Sequence, residues 1–324
     1  MRKTLCLAVA MASLSTISSG QTITETFGSG ANAFTMEFVT IGNPGNAADT
    51  MRSSISAGSV AYTYNIGKYE VSRDMITKAN SAGGLGITMD DMSSWGGNGV
   101  NRPATGTSWY EAAKFVNYLN TSRGGTAAYK FVGGTFTLWS STDAGYNANN
   151  QFRNSLAKFV IASSDEWYKA AYGNLNGTWN IYPTGSDSAP TPVLSGTSAS
   201  TAVYNDYIRQ SGPADITNAG GLSPYGTMGQ GGNVWEWNET AYDGSNNTAD
   251  ESREFRGGSW GSSGTTNLDS LTRYSDIPTI EDSYVGFRVA MIPEPSSLSL
   301  LVLGGVVLAL RRRREYIIVV VARL

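Results

Sequence analysis

The residues able to do chemistry concentrate in three short runs: Gly231-Gly232-Asn233-Val234-Trp235-Glu236-Trp237, Arg256-Gly257-Gly258-Ser259-Trp260 and Gly286-Phe287-Arg288-Val289-Ala290. Between them they offer a carboxylate, two guanidinium groups and a serine. Taken singly, each has an ordinary structural use, because paired glycines permit tight turns, tryptophans fill cores and an arginine pairs with a carboxylate. What is missing narrows the chemistry further. The chain has no histidine, and its one cysteine, Cys6, lies within the first ten residues. Zinc sites of the Cys/His type, facial-triad iron, Ser-His-Asp and Cys-His nucleophiles and c-type haem attachment are excluded. So is a disulfide within the body of the chain.

The elements that must position these runs announce themselves unevenly. Ser108-Trp109-Tyr110-Glu111 is a capping box ahead of Trp109, Ala112, Ala113, Val116 and Leu119, which share one helical face. Ser163-Ser164-Asp165-Glu166 repeats the device before Trp167, Ala170 and Ala171. Alternation over residues 61–71 predicts a strand with a bulge after Gly67, and residues 286–291 predict a short terminal strand. Gly/Ser/Thr/Asn-rich residues 184–201 and 243–252 predict long surface loops. No linker or fixed-period repeat divides the body. With 324 residues, 40% apolar and 15% charged, and with 38 Gly, 17 Tyr and 8 Trp, the chain can bury a sizeable core and points to a single loop-rich, extracellular-type α+β domain.

The two ends carry signals of another kind. Residues 1–20 begin with Arg2 and Lys3, pass through an apolar stretch and end in Ser18, Ser19 and Gly20, which predicts a secretory signal peptide. Near the other end, Pro293-Glu294-Pro295 precedes an apolar run over 298–310 and then Arg311, Arg312, Arg313 and Arg314. That run is short of the roughly 20 residues a bilayer core requires, which suits a temporary anchor with the arginines held on the cytoplasmic side. The order resembles the PEP-CTERM sorting signal of Gram-negative bacteria. The resemblance implies processing by an exosortase-type membrane enzyme and delivery to the cell surface or an exopolysaccharide matrix. Residues 315–324 run past the point where such signals usually stop, and nothing in them explains why. Without the two ends, 16 basic and 24 acidic residues leave a charge near −8. This argues against a nucleic-acid partner and is compatible with cation binding.

In order along the chain, the three runs join Gly67-Lys68-Tyr69-Glu70-Val71-Ser72, Arg102-Pro103-Ala104, Ser108 to Ala112 and residues 163–171. Together they resemble the formylglycine-generating enzyme family, also called the sulfatase-modifying factor family, over roughly residues 34–291. The resemblance implies a variant of the C-type lectin-like fold with low secondary-structure content and bound calcium, occupying residues 21–291 between the signal peptide and a sorting segment at 292–314. Catalytic members oxidise a sulfatase cysteine to formylglycine with two cysteines that hold copper(I). The resemblance places Ser262 and Asn267 at those positions. Copper(I) is soft and takes thiolates, which a serine hydroxyl cannot replace. The histidine-held iron of related sulfoxide synthases has no ligands here either. Calcium needs only oxygen donors. By resemblance one calcium site would use the carbonyls of Gly232 and Val234 and the carboxylate of Glu236, with Gly229 at a position that normally supplies a side-chain oxygen. A second would use Asn205, Asp206, Asp215 and Thr217. Glu236 has an equal alternative, as ion-pair partner of Arg256 or Arg288.

Three functions follow. The chain is a non-catalytic binding or matrix protein, with Trp95, Trp139 and Trp179 as stacking platforms for a glycan, peptide or polymer or else as core filler. Alternatively it is an enzyme of unrecognised chemistry in the family cleft around Ser259, Ser262, Asn267 and Arg273, with Asp269 the nearby carboxylate. The third is a structural component of an exopolysaccharide layer. Nothing in the sequence activates the serines, so the first is the expectation.

Overall fold

Both capping boxes form. In the computed structural model, which describes residues 20–52, 55–205 and 211–293, helix α2 (Trp109–Thr121) starts at Ser108, whose side chain accepts from the Glu111 amide while Glu111 reaches back to the Ser108 amide. Helix α3 (Ser164–Tyr172) repeats this with Ser163 and Glu166. A third helix, α1 (Arg73–Gly83), is capped by Ser72 and ends at Gly84 in the left-handed region. The predicted apolar face of α2 is buried, together with Phe115. In α3 only Asp165 stays outside the buried class, so the expected single face is overtaken by burial nearly all round. The signal-peptide segment and the apolar run before the four arginines lie outside the described residues.

The strands, in chain order, are β1 (Thr22–Phe27), β2 (Phe34–Ile41), β3 (Tyr64–Gly67), β4 (Lys130–Val132), β5 (Thr135–Thr137), β6 (Phe159–Ile161), β7 (Thr191–Val193), β8 (Thr201–Val203), β9 (Trp235–Ala241), β10 (Arg253–Arg256), β11 (Tyr274–Asp276), β12 (Val285–Phe287) and β13 (Val289–Met291). They form a five-stranded sheet ordered β1-β2-β3-β13-β6, a four-stranded sheet ordered β11-β10-β9-β12, and the pairs β4-β5 and β7-β8. The large sheet is antiparallel throughout; in the smaller one β12 runs parallel to β9. Long stretches between these elements are coil, which makes the domain α+β and loop-rich, as its composition suggested.

Three sequence expectations are corrected. The strand predicted over 61–71 is confined to Tyr64–Gly67. It stops there because the Gly67 carbonyl accepts from Arg288 Nη1 at 2.8 Å, and Val71 N–H leaves to bond the Phe287 carbonyl. The single terminal strand predicted over 286–291 is two strands in two sheets, with Arg288 at the break between β12 and β13. The loop predicted over 184–201 contains β7, paired in parallel with β8.

Candidate functional site

Where the two larger sheets meet, the motif charges pair with one another inside the core. Arg288 and Glu236 are both fully buried. Arg288 Nη2 donates to Glu236 Oε1 and Nε to Oε2, both at 2.5 Å, while Trp167 Nε1 gives Oε2 a further bond at 2.6 Å. The remaining guanidinium protons go to the Gly67 carbonyl at 2.8 Å and the Met228 carbonyl at 2.9 Å. This is the ion-pair alternative for Glu236, and it corrects the expectation of a calcium carboxylate there. With both oxygens facing a guanidinium, a divalent cation would meet like charge instead of a free ligand.

Glu70 tightens the same point. Its side chain is buried, and Oε1 accepts from Asn233 Nδ2 at 2.9 Å while Oε2 has no partner. A Cβ added to Gly229, which has φ +81, would lie 2.3 Å from Glu70 Oε1. The carboxyl of Glu70 therefore fills the space a side chain at position 229 would need. Burial pushes the Glu70 pKa up to about 7; Arg288 opposes this and Glu236 adds to it. The residues around Gly232, Val234 and Glu236 thus do not fit calcium.

Two further buried charge groups flank this pair. Arg153 forms a bidentate pair with Glu166, at 2.9 and 3.0 Å, and reaches Glu239 at 2.8 Å. Burial raises the pKa of Glu166, but Arg153 outweighs it and the carboxyl is lowered overall. Arg256 pairs with Glu254, which also accepts from Ser164 Oγ at 2.6 Å. Arg273, expected in the cleft, instead lies 3.1 Å from Glu254 and stacks on the Tyr242 ring. Asp269, the nearby carboxylate, accepts from the amides of Leu271 and Thr272 and from the Thr272 hydroxyl, so it organises its own turn.

The family cleft positions do converge. After Gly257, which has φ +102 and where an added Cβ would lie 2.6 Å from the Gln230 carbonyl oxygen, the chain runs into a tight turn. Gly232 N–H bonds the Gly257 carbonyl and Trp260 N–H bonds the Asn233 carbonyl, both at 2.8 Å, which stitches the first two motif runs together. Trp260 is buried and stacked on Tyr284 at 4.7 Å. Within that turn, Ser262 Oγ accepts from Ser259 N–H at 3.0 Å and from Asn267 Nδ2 at 3.3 Å. The two side chains that stand in the cysteine positions are therefore neighbours. Their donor set, a hydroxyl and an amide, does not fit copper(I). Among the described residues no carboxylate is hydrogen-bonded to the side chain of either serine.

Of the second predicted calcium set, the residues near Asn205 and Asp215 meet at Asn233, whose N–H bonds the Val203 carbonyl at 2.7 Å and whose Oδ1 accepts from the Ala214 amide at 2.8 Å. Asn205 N–H bonds the Ser262 carbonyl at 2.8 Å, while the Asp215 carbonyl accepts from Asn218 at 2.7 Å. Thr217 is exposed, and Asp206 lies outside the described residues. No group of three acidic, histidine or cysteine side chains among the described residues converges on a point. The three tryptophans expected as platforms are half-buried. Trp95 packs against Trp260 at 5.1 Å, Trp139 donates to the Ala128 carbonyl at 3.0 Å, and Trp179 packs against Tyr168 at 5.4 Å.

Sequence reasoning did not single out Arg153, Glu239 or Arg253. Arg253 is fully buried with its guanidinium 3.9 Å from the Phe152 ring and 4.6 Å from Trp109, and burial brings its pKa down to about 10. No local pattern marks such a residue, because the rings that enclose it come from distant segments.

This sheet pair, cleft turn and motif order define a sulfatase-modifying-factor type of domain, and comparison with known proteins agrees. Residues 39–292 match the sulfatase-modifying factor enzyme 1-like domain, and residues 292–314 match the PEP-CTERM protein-sorting motif. The chain belongs to the sulfatase-modifying factor family. Its fold is similar to that of Treponema denticola variable protein 1, at 21% identity and TM-score 0.57, covering 84% of this chain and 99% of that one. It is also similar to CarF (18% identity, TM-score 0.56, covering 80% and 98%) and to PvdO from Pseudomonas aeruginosa (16%, 0.53, covering 86% and 100%). A search of curated protein sequences finds no match. The sorting motif indicates export in Gram-negative bacteria with surface association, and implies processing by an exosortase. No helix among the described residues is long and apolar enough to cross a membrane.

Proposed function

We propose that the chain is a surface-delivered binding domain that has kept the family scaffold without its oxidase chemistry. The observation that carries this is the Ser262–Asn267 pair, 3.3 Å apart in the turn where the resemblance expects two cysteines. The side chains at those two positions are a hydroxyl and an amide, and they lie within one turn. Ser262 Oγ is held as an acceptor by the Ser259 amide, and among the described residues no carboxylate bonds it, which also disfavours a serine nucleophile. Delivery would proceed through a transient membrane anchor over 298–310, released by exosortase cleavage, into the cell-surface or exopolysaccharide layer. No step of this function uses calcium or copper.

The test is direct. The purified protein, incubated with a sulfatase-type cysteine peptide, copper and oxygen, is expected to leave the peptide mass unchanged. Copper-dependent conversion above a no-protein control would overturn the non-catalytic reading. For delivery, mass spectrometry of the protein in its native host should find no peptides beyond Arg311 in the surface fraction.

A further inference from the structure

The described chain begins and ends at the same end of the large sheet. Gly20 N–H bonds the Thr40 carbonyl, Thr40 pairs with Asn65 across β2 and β3, and Asn65 pairs with Met291 on β13. One residue further, Ile292 N–H bonds the Lys158 carbonyl, and the amides of Lys158 and Phe159 donate to Asn120 Oδ1 near the C-terminal end of α2. The start of α2 lies beside the segment that leads into β12. There Tyr110 N–H bonds the Pro278 carbonyl, Gly106 N–H bonds the Asp282 carbonyl, and Tyr284 stacks on Trp260 of the cleft turn. Thirteen helical residues put about 20 Å between these two ends.

Residues 293–297 alone separate Ile292 from the apolar run that starts at Leu298. Fully extended, that stretch covers roughly 20 Å, so the exit end of the domain stays close to any bilayer that holds the run. The tether leaves the tilt of the domain open, and charge supplies the preference. Beside the exit, the partly exposed Arg123 and Lys158 share one carboxylate, Glu25, so cations outnumber anions. Beside the start of α2 the sign reverses, because Asp90, Asp91, Glu281 and Asp282 gather around Arg73 and Arg102. A surface of anionic lipid attracts the first group within a Debye length and repels the second.

We propose that, while the sorting segment holds the chain in the membrane, the face carrying Arg123, Lys158 and the exposed turn at 121–125 rests on anionic lipid, with the cleft turn directed away from the bilayer. Both membrane-directed segments join the domain at this end, so lipid is the surface it meets. The cleft end is then open to a ligand before release as well as after it. The proposal rests on the transient-anchor reading above and names the partner surface and the orientation.

The test uses the full chain with Cys6→Ser, reconstituted into mixed phosphatidylglycerol and phosphatidylcholine vesicles. A dye is placed on Ser122→Cys or on Thr279→Cys, exposed positions at either end of α2. A quencher on the lipid headgroups should dim the dye at position 122 at least about twofold more than at 279, given the roughly 20 Å between them. The contrast should shrink in pure phosphatidylcholine, at high salt and in Arg123→Gln, which leaves the Lys158–Glu25 pair in place, with circular dichroism unchanged across the variants. Equal quenching at the two positions, stronger quenching at 279, or a contrast indifferent to lipid charge and salt would overturn the docking while leaving the anchor in place. Failure of the full chain to sediment with either vesicle would overturn the anchor and the docking together. The peptide-conversion assay reports separately on the non-catalytic reading.

Discussion

The sheet junction and the cleft turn are built from the same motif runs, yet they spend their side chains differently. At the junction, Glu236, Arg288 and Trp167 are consumed by one another, and what they accomplish is to join two sheets across a one-residue break. In the turn, Ser262 Oγ accepts one bond from the Ser259 amide and one from the Asn267 side chain, and none of the three residues carries charge. One member of a buried ion pair cannot be exchanged alone without loss, whereas a hydroxyl and an amide in a backbone-defined turn can be. Glu236, Arg288 and Trp167, among the residues by which the chain is recognised, are thus scaffold residues.

The largest effect that would break this contrast is expected at the junction. Arg288→Ala leaves Glu236 buried without its partner and should cost about 3–5 kcal/mol, read as a shift in the urea midpoint. A loss below about 1 kcal/mol would show that the junction tolerates change as readily as the turn. Replacing both members with apolar residues should cost less than the sum of the single changes, since neither is then stranded.

Glu70 gives the next effect, through pH. Its folded pKa is raised to about 7, against an ordinary 4.5 in the unfolded chain. The folded state therefore binds the proton more tightly, so this contribution is complete below pH 4.5 and is lost as pH rises through 7. It is of the order of 3 kcal/mol. Thermal melts should show Tm falling between pH 5 and pH 7.5 in the wild type and a flatter profile in Glu70→Gln, which mimics the protonated acid. An unchanged slope in the variant would assign the pH response to other groups.

Smaller still is the helix cap at Ser163. Ser163→Ala should cost about 1 kcal/mol, because one amide at the start of α3 loses its acceptor. The smallest stability effect belongs to the turn. Ser262→Cys combined with Asn267→Cys should leave the urea midpoint within about 0.5 kcal/mol of wild type. The two thiols, on positions whose side chains now hydrogen-bond within one turn, should gain copper(I) affinity in a competition titration with a colorimetric chelator. Failure to bind copper(I) in the folded double variant would show that the turn differs in more than its side chains.

Some of this protein was legible in its residues alone. The two capping boxes fixed where α2 and α3 begin, because that signal is local and spans only four residues. The missing histidines and thiols excluded whole chemistries, since absence from a sequence is absence from its structure. Motif order was enough to place the chain in its family. Which carboxylate meets which arginine was open until the sheets were seen: Glu236 had two candidate partners, and only the break between β12 and β13 brings Arg288 to it. The same holds for Glu70 filling the space over Gly229 and for Arg253 among rings drawn from α2 and residues 136–152. Each depends on segments tens of residues or more apart in the chain, and ion pairing, burial and free volume are properties of that assembly and not of any local pattern.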